Sequence, residues 1–277
     1  MSSSFITEEN VLISFSGGRT SGLMLKMFID ANGGTLPTNY KVVFANTGKE
    51  HPNTLKFVND CAVNWGIEIV WLEFKCDEGD KPKQRWKQVS YETASRDGQP
   101  FADLIKMRSY LPNPVTRFCT IDMKIRPIQF YCEQILSWTE WNVAIGFRAD
   151  EMSRVKKLAN NKEKFERFAP LAQLSITKRE VSEFWQSQAF DLELPNNNGV
   201  TDHGNCDLCF LKGEYKRIRL MAEHPEIANW WIEQEQSIGA TFRKDAPNYQ
   251  QLKQFAIKQV DFFGYEREDL ADCFCAD

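Results

Sequence analysis

Between residues 11 and 74, short apolar runs alternate with segments of helical spacing. Val11 to Phe15 is an almost unbroken apolar run, the pattern of a buried strand. After the polar turn Ser16 to Arg19, Leu23, Met24, Met27 and Phe28 recur at helical spacing. They predict a helix over Thr20 to Ala31, stopped by Asn32-Gly33-Gly34. Tyr40 to Ala45 predicts a second strand. Pro52 can open a second helix at its first position, with Leu55, Val58 and Ala62 on one face and Gly66 at its end. Ile67 to Phe74 predicts a third strand. This alternation requires right-handed parallel crossovers with helices on both faces of the sheet. The expected fold class is α/β, a parallel twisted sheet of Rossmann-like kind.

Residues 76–118 are less regular and rich in charge, and read as an insertion or lid with a short helix over Phe101 to Tyr110. Ile121 to Trp138 reads as helix interrupted at Pro127, and Trp141 to Phe147 as a strand. Thr177 to Gln188 reads as a helix, with Thr177 and Glu180 at capping-box spacing. Glu214 to Gln236 is a helical stretch that Pro225 should divide. No linker is evident. The expected organisation is one domain over residues 1–215 and a C-terminal helical extension over 216–277 packed on it.

The sharpest chemical signal is Ser16-Gly17-Gly18-Arg19-Thr20-Ser21, directly after a strand and directly before a helix. Glycines let backbone amides approach an anion, and the helix start adds unpaired N–H groups and a positive dipole end. Ser16, Thr20 and Ser21 add hydroxyls and Arg19 a cation. The segment is a candidate pocket for a phosphate or pyrophosphate. It is neither a Walker loop nor a dinucleotide fingerprint, since GxxxxGK and GxGxxG are both absent.

The loop resembles the PP-loop of ATP pyrophosphatases, SGGxDS, with Thr20 in place of the aspartate. Phe44 to Thr54 is similar to the strand-end segment of phosphoadenosine phosphosulfate reductases, where a Thr-Gly pair follows the second strand and a Pro-x-x-Thr element opens the next helix. Gly146 to Glu151, followed by Arg154, resembles a third element of that family. The likeness spans about residues 10–215. It implies a PP-loop fold binding ATP or a related adenine nucleotide, with Mg²⁺. Ser16 to Ser21, Asn46, Thr47, Gly48 and Gly146 would contact the nucleotide. Arg148, Arg154 and Lys124 are the candidate catalytic cations. Asp150 and Glu151 would hold the Mg²⁺ or orient the arginines.

The chain has eight cysteines. Cys206 and Cys209 form a CxxC, a spacing open to metal, redox or packing roles. Adenylylsulfate reductases of the resembling family hold an iron–sulfur cluster with a Cys-Cys pair and a later CxxC. Here Phe118 stands where the first cysteine of the pair would be, which leaves Cys119, Cys206 and Cys209. The resemblance thus implies a 4Fe-4S cluster with one open iron, or a Zn²⁺ site completed by His203. Phosphoadenosine phosphosulfate reductases also use a cysteine on a C-terminal tail. Cys273 and Cys275 lie near the end of this chain, but without the Glu-Cys-Gly motif.

The net charge of −4 argues against a general nucleic-acid binder. Nucleic acid stays among the candidate acceptors, with Lys212, Lys216, Arg217 and Arg219 as a basic stretch. Trp230-Trp231 reads as core or as an interface that would allow a homo-oligomer. No apolar run of about 18 residues occurs, and Met1 to Asn10 lacks the features of a secretory signal. The expected compartment is the cytoplasm. The preferred expectation is an ATP-consuming enzyme that adenylates an acceptor, releases pyrophosphate and prepares sulfur transfer. The alternatives are a sulfonucleotide reductase that releases sulfite, and a non-catalytic nucleotide sensor or partner subunit.

Overall fold

The computed structural model describes residues 5–158, 165–196 and 201–258. Cys273 and Cys275 therefore lie outside the described residues. Six strands form one sheet: β1 (Val11–Ser14), β2 (Tyr40–Asn46), β3 (Ile69–Phe74), β4 (Trp86–Val89), β5 (Trp141–Ile145) and β6 (Phe165–Phe168). Their order is β4-β3-β2-β1-β5-β6, and every pairing is parallel except β3 with β4. The chain progresses from β1 to β4 in one direction and then crosses to β5 and β6 on the other side. The order thus reverses at β1, where ligands of open parallel sheets bind, beyond the C-terminal strand ends.

Alternation along the strands divides the core. Val11, Ile13 and Phe44 pack with α1 (Arg19–Ala31) and α2 (Pro52–Trp65) on one face. Leu12, Val43, Val70 and Val143 pack with Tyr131 and Cys132 of α4 (Arg126–Gln134) on the other. Pro52 stands at the start of α2, His51 caps it by accepting the Asn53 N–H at 3.1 Å, and Gly66 ends it in the left-handed region at φ 61°. Trp185 of α5 (Lys178–Gln186) is fully inserted against α1, and the Thr177–Glu180 capping box is formed.

A second core lies beside the sheet. Phe101 and Leu104 of α3 (Gln99–Arg108) meet Leu208, Phe210, Leu220 of α6 (Glu214–Glu223), Trp231 of α7 (Ala228–Ile238) and Tyr249 of α8 (Tyr249–Lys258). The irregular insertion and the C-terminal helices are thus packed together.

Three expectations are revised. Pro127 does not interrupt its helix. Residues 118–134 run continuously, with a π turn over Ile121–Ile125 immediately before the α segment that contains Pro127. The two edge strands β4 and β6 are additional to the sequence reading. The strand after residue 140 ends at Ile145 instead of Phe147. Among the described residues, no helix is long and apolar enough to cross a membrane.

Candidate functional site

The loop after β1 is built by exclusion of side chains. Gly17 sits at φ 80°, and a Cβ there would fall 2.7 Å from Thr54 Cγ2 of α2. Gly18 precedes α1 without a side-chain cap, and no acid occupies the first turn. The start of α1 therefore keeps its positive dipole end and uncapped amides for an anion. Ser21 closes the loop: its hydroxyl donates to the Gly18 carbonyl at 3.0 Å and accepts the Ser16 N–H at 3.2 Å. The Ser16 and Ser21 hydroxyls lie 2.9 Å apart.

Arg19 adds its backbone but not its charge. Its guanidinium is buried and donates to both carboxylate oxygens of Asp191, at 2.7 and 2.6 Å, and to the Leu194 carbonyl at 2.8 Å. The expected phosphate cation is therefore a clamp between α1 and the segment following α5.

The cation placed at the loop is Arg148. Its Nη1 donates to Thr20 Oγ1 at 3.0 Å, and its Nε to Asp150 Oδ1 at 3.0 Å. Glu151 accepts the Arg148 backbone N–H and pairs with Arg154, which lies over the Phe147 ring. Asp150 and Glu151 thus orient the two arginines. Gly146 lets β5 approach α1: a Cβ there would lie 3.0 Å from Ser21 Cα and 3.2 Å from Ser21 N.

The end of β2 is a scaffold. Asn46 is fully buried, donates to Glu73 and to the Ser95 carbonyl, and accepts the Gly48 N–H. Thr47 donates through both its N–H and its hydroxyl to Glu50, and Lys124 Nζ stands 3.9 Å from the same carboxylate. Gly48, at φ 78°, packs against the Gly98 backbone. Glu50 and Asp191 escaped the sequence reading. For Glu50 a signal existed, since Thr47 and Glu50 have capping-box spacing; for Asp191 there was none.

The CxxC meets this segment. Cys206 bridges to Glu50 through the backbone, and its sulfur lies 3.4 Å from Thr47 Oγ1. Burial, then the Glu50 and Cys209 charges, push its thiol pKa well up. Asp207 accepts from Lys49 at 2.8 Å and from the Trp231 indole at 2.7 Å. The His203 ring packs on His51 at 5.3 Å, with its Nε2 3.9 Å from Glu223. Burial lowers the His203 pKa and, with the His203 charge, brings His51 to about 4. Cys119, Cys206 and Cys209 border the second core. Among the described residues, however, no three His, Cys, Asp or Glu side chains converge to hold a metal. Of the expected ligands Cys119, Cys206, Cys209 and His203, Cys206 lies beside Thr47 and the His203 ring packs on His51.

Next to the loop lies a cavity of about 460 Å³ between the sheet and the helical run 118–134. Ser14, Ser16, Val143 and Ile145 line its sheet side, and Ile121, Lys124 and Ile128 its helical side. Ser16 also borders a small recess formed with Gly17, Thr20, Gly204 and Asn205.

Among solved structures, a U34-tRNA thiolase, NcsA, from Methanococcus maripaludis, determined with its [4Fe-4S] cluster, matches 97% of this chain and 78% of its own. The TM-score is 0.41 and the identity 15%, a likeness too distant to carry function across. An uncharacterized nin region protein, ORF290, of Escherichia phage lambda is 31% identical over 209 residues, covering 74% of this chain and 67% of the relative. The family model of the phosphoadenosine phosphosulfate reductase domain matches residues 10–192, which include the loop, the end of β2 and the Arg148 segment. The chain belongs to the phosphoadenosine phosphosulfate reductase domain family.

Proposed function

We propose that the protein is a PP-loop enzyme that binds ATP, or a close adenine nucleotide, with Mg²⁺ and transfers its adenylyl group to an acceptor. The observation that carries this reading is the uncapped start of α1 behind Gly17 and Gly18, with Arg148 hydrogen-bonded to Thr20. Amides and a buried cation at one point stabilise charge on a departing pyrophosphate. The adjoining cavity has apolar walls for a nucleoside, and Ser16 borders both spaces. An acceptor oxygen attacks the α-phosphorus, a phosphorus–oxygen bond forms, and the bond to the β-phosphate breaks with its electron pair leaving on pyrophosphate. A sulfur nucleophile would then displace AMP from the activated acceptor.

Incubation with ATP and Mg²⁺ tests the reading even before the acceptor is known, because water can take its place slowly. AMP and pyrophosphate are the expected products, with their formation abolished by Gly17→Val. ADP and phosphate, or sulfite from a sulfonucleotide with a thiol reductant, would refute it. Nucleotide binding without either reaction would favour a sensor.

A further inference from the structure

Access to the phosphate loop is narrow. Of residues 16–21, Ser16 alone lines the large cavity, while Gly17, Gly18 and Thr20 border the small recess. The wall of that recess is completed by Thr201, Gly204 and Asn205. Its volume is about 20 Å³. That is room for about one water, and a phosphate does not fit.

Separate contacts hold residues 201–205 in place. The Asp202 side chain is 10% exposed and pairs with Lys216 at 3.4 Å and with Arg219, both on α6. Lys212 Nζ donates to the Asp202 carbonyl at 2.6 Å and to the Asp207 carbonyl at 2.9 Å. The His203 ring rests on His51. Three of the four cations in the basic stretch 212–219 thus engage this segment, and the fourth, Arg217, is buried. The root of the segment is fixed independently, since Cys206 bridges to Glu50 and the Asp207 N–H donates to the Lys49 carbonyl. Asn205, in the left-handed region at φ 59°, marks the turn between the root and the part held by α6.

We propose that Thr201 to Asn205 form a lid over the phosphate loop, latched to α6 through Asp202, and that the latch releases before a nucleotide's phosphates reach the loop amides. The proposal rests on the nucleotide reading of the site and adds its regulation. A nucleotide that binds only the open state has an apparent affinity reduced by the fraction of molecules that are open. Weakening the latch raises that fraction.

The sign of the effect separates a latch from plain electrostatics. If Lys216 and Arg219 acted on the phosphates through their charge, removing them would weaken binding. If they hold the lid shut, removing them strengthens it.

The test measures equilibrium and stopped-flow binding of a fluorescent ATP analogue to the full chain. The double variant Lys216→Gln/Arg219→Gln should bind about tenfold tighter (about 1.4 kcal/mol), chiefly through faster association. Asp202→Asn cuts the same latch from the other side and should act in the same direction. It also serves should the double variant lose its fold, as checked by circular dichroism. Unchanged or weaker binding in a folded latch variant overturns the proposal. Hydrogen exchange of the free chain gives a readout that needs no nucleotide. The first-turn amides of α1 lack intrahelical partners, so their protection comes from what covers them. Residues 17–20 should exchange several-fold faster in the latch variants, with the middle of α1 unchanged. If no form binds the nucleotide, the nucleotide reading fails and exchange alone decides. Equal exchange at residues 17–20 in both proteins overturns the lid.

Discussion

Two glycines of the site are constrained in different ways, and that difference can be measured. Gly17 combines a left-handed backbone with a clash against Thr54, so Gly17→Val should lower both stability and nucleotide binding. Gly146 has no positive φ, and a Cβ there would press on Ser21. Gly146→Ala should move β5 away from the loop and reduce nucleotide affinity about tenfold, with the unfolding midpoint only a few degrees lower. Calorimetric titration beside a thermal melt checks this, and unchanged affinity would remove Gly146 from the site. His51 gives a pH test. Burial, then the neighbouring His203, brings its pKa to about 4 from an ordinary 6.5. Between those values the unfolded chain binds more protons than the folded one. Stability is therefore fully present above about pH 6.5 and declines as pH falls toward 4. Because the ring is only partly buried, the loss should be on the order of 1–2 kcal/mol. His51→Asn retains an N-cap acceptor, and its urea-derived stability should fall less across that window.

At the scale of elements, the start of α1 is held from both sides, by β5 through Gly146 and by Asp191 through Arg19. Asp191→Asn would leave the Arg19 charge buried without its carboxylate. Since Asp191 is itself about one-third exposed, the expected cost is about 2–3 kcal/mol, below that of a fully buried pair; chemical denaturation reads it directly. This contact explains why the sequence revealed the loop but not its support. Strand, glycine turn and helix are local signals, carried by neighbouring residues from Val11 to Ala31. Arg19 and Asp191 are 172 positions apart, and nothing in either local pattern announces the other. The same limit applied to β4 and β6. Trp86 to Val89 lies in a charged, half-exposed antiparallel edge, and Phe165 to Phe168 spans only four residues, so neither shows a buried-strand pattern. Gly146-Phe147-Arg148 was legible as a segment, yet that Arg148 would meet Thr20 follows only from β5 pairing beside β1. The CxxC spacing left metal, redox and packing roles open, and that the Cys206 sulfur lies beside Thr47 follows only from the fold.

Across the whole molecule, a polar junction at Asp207 links the second core to the segment after β2. Asp207 accepts from Lys49, next to Gly48, and from the Trp231 indole, which is fully buried among the C-terminal helices. Its own N–H donates to the Lys49 carbonyl at 2.7 Å. The packing of α6, α7 and α8 is thereby tied to the segment that ends β2. Trp231→Phe keeps most of the apolar volume and removes only the donor to Asp207. It should cost about 1–2 kcal/mol of stability, the range for a buried hydrogen bond lost with some volume, and weaken nucleotide binding several-fold. A cycle with Lys49→Met separates the two effects. If the junction transmits the position of the helices to the site, the affinity losses of the two variants will not add. If each residue acts only on its own core, the losses will add, and affinity will track global stability alone. Additive losses would make the C-terminal helices a support for the fold without a voice in binding.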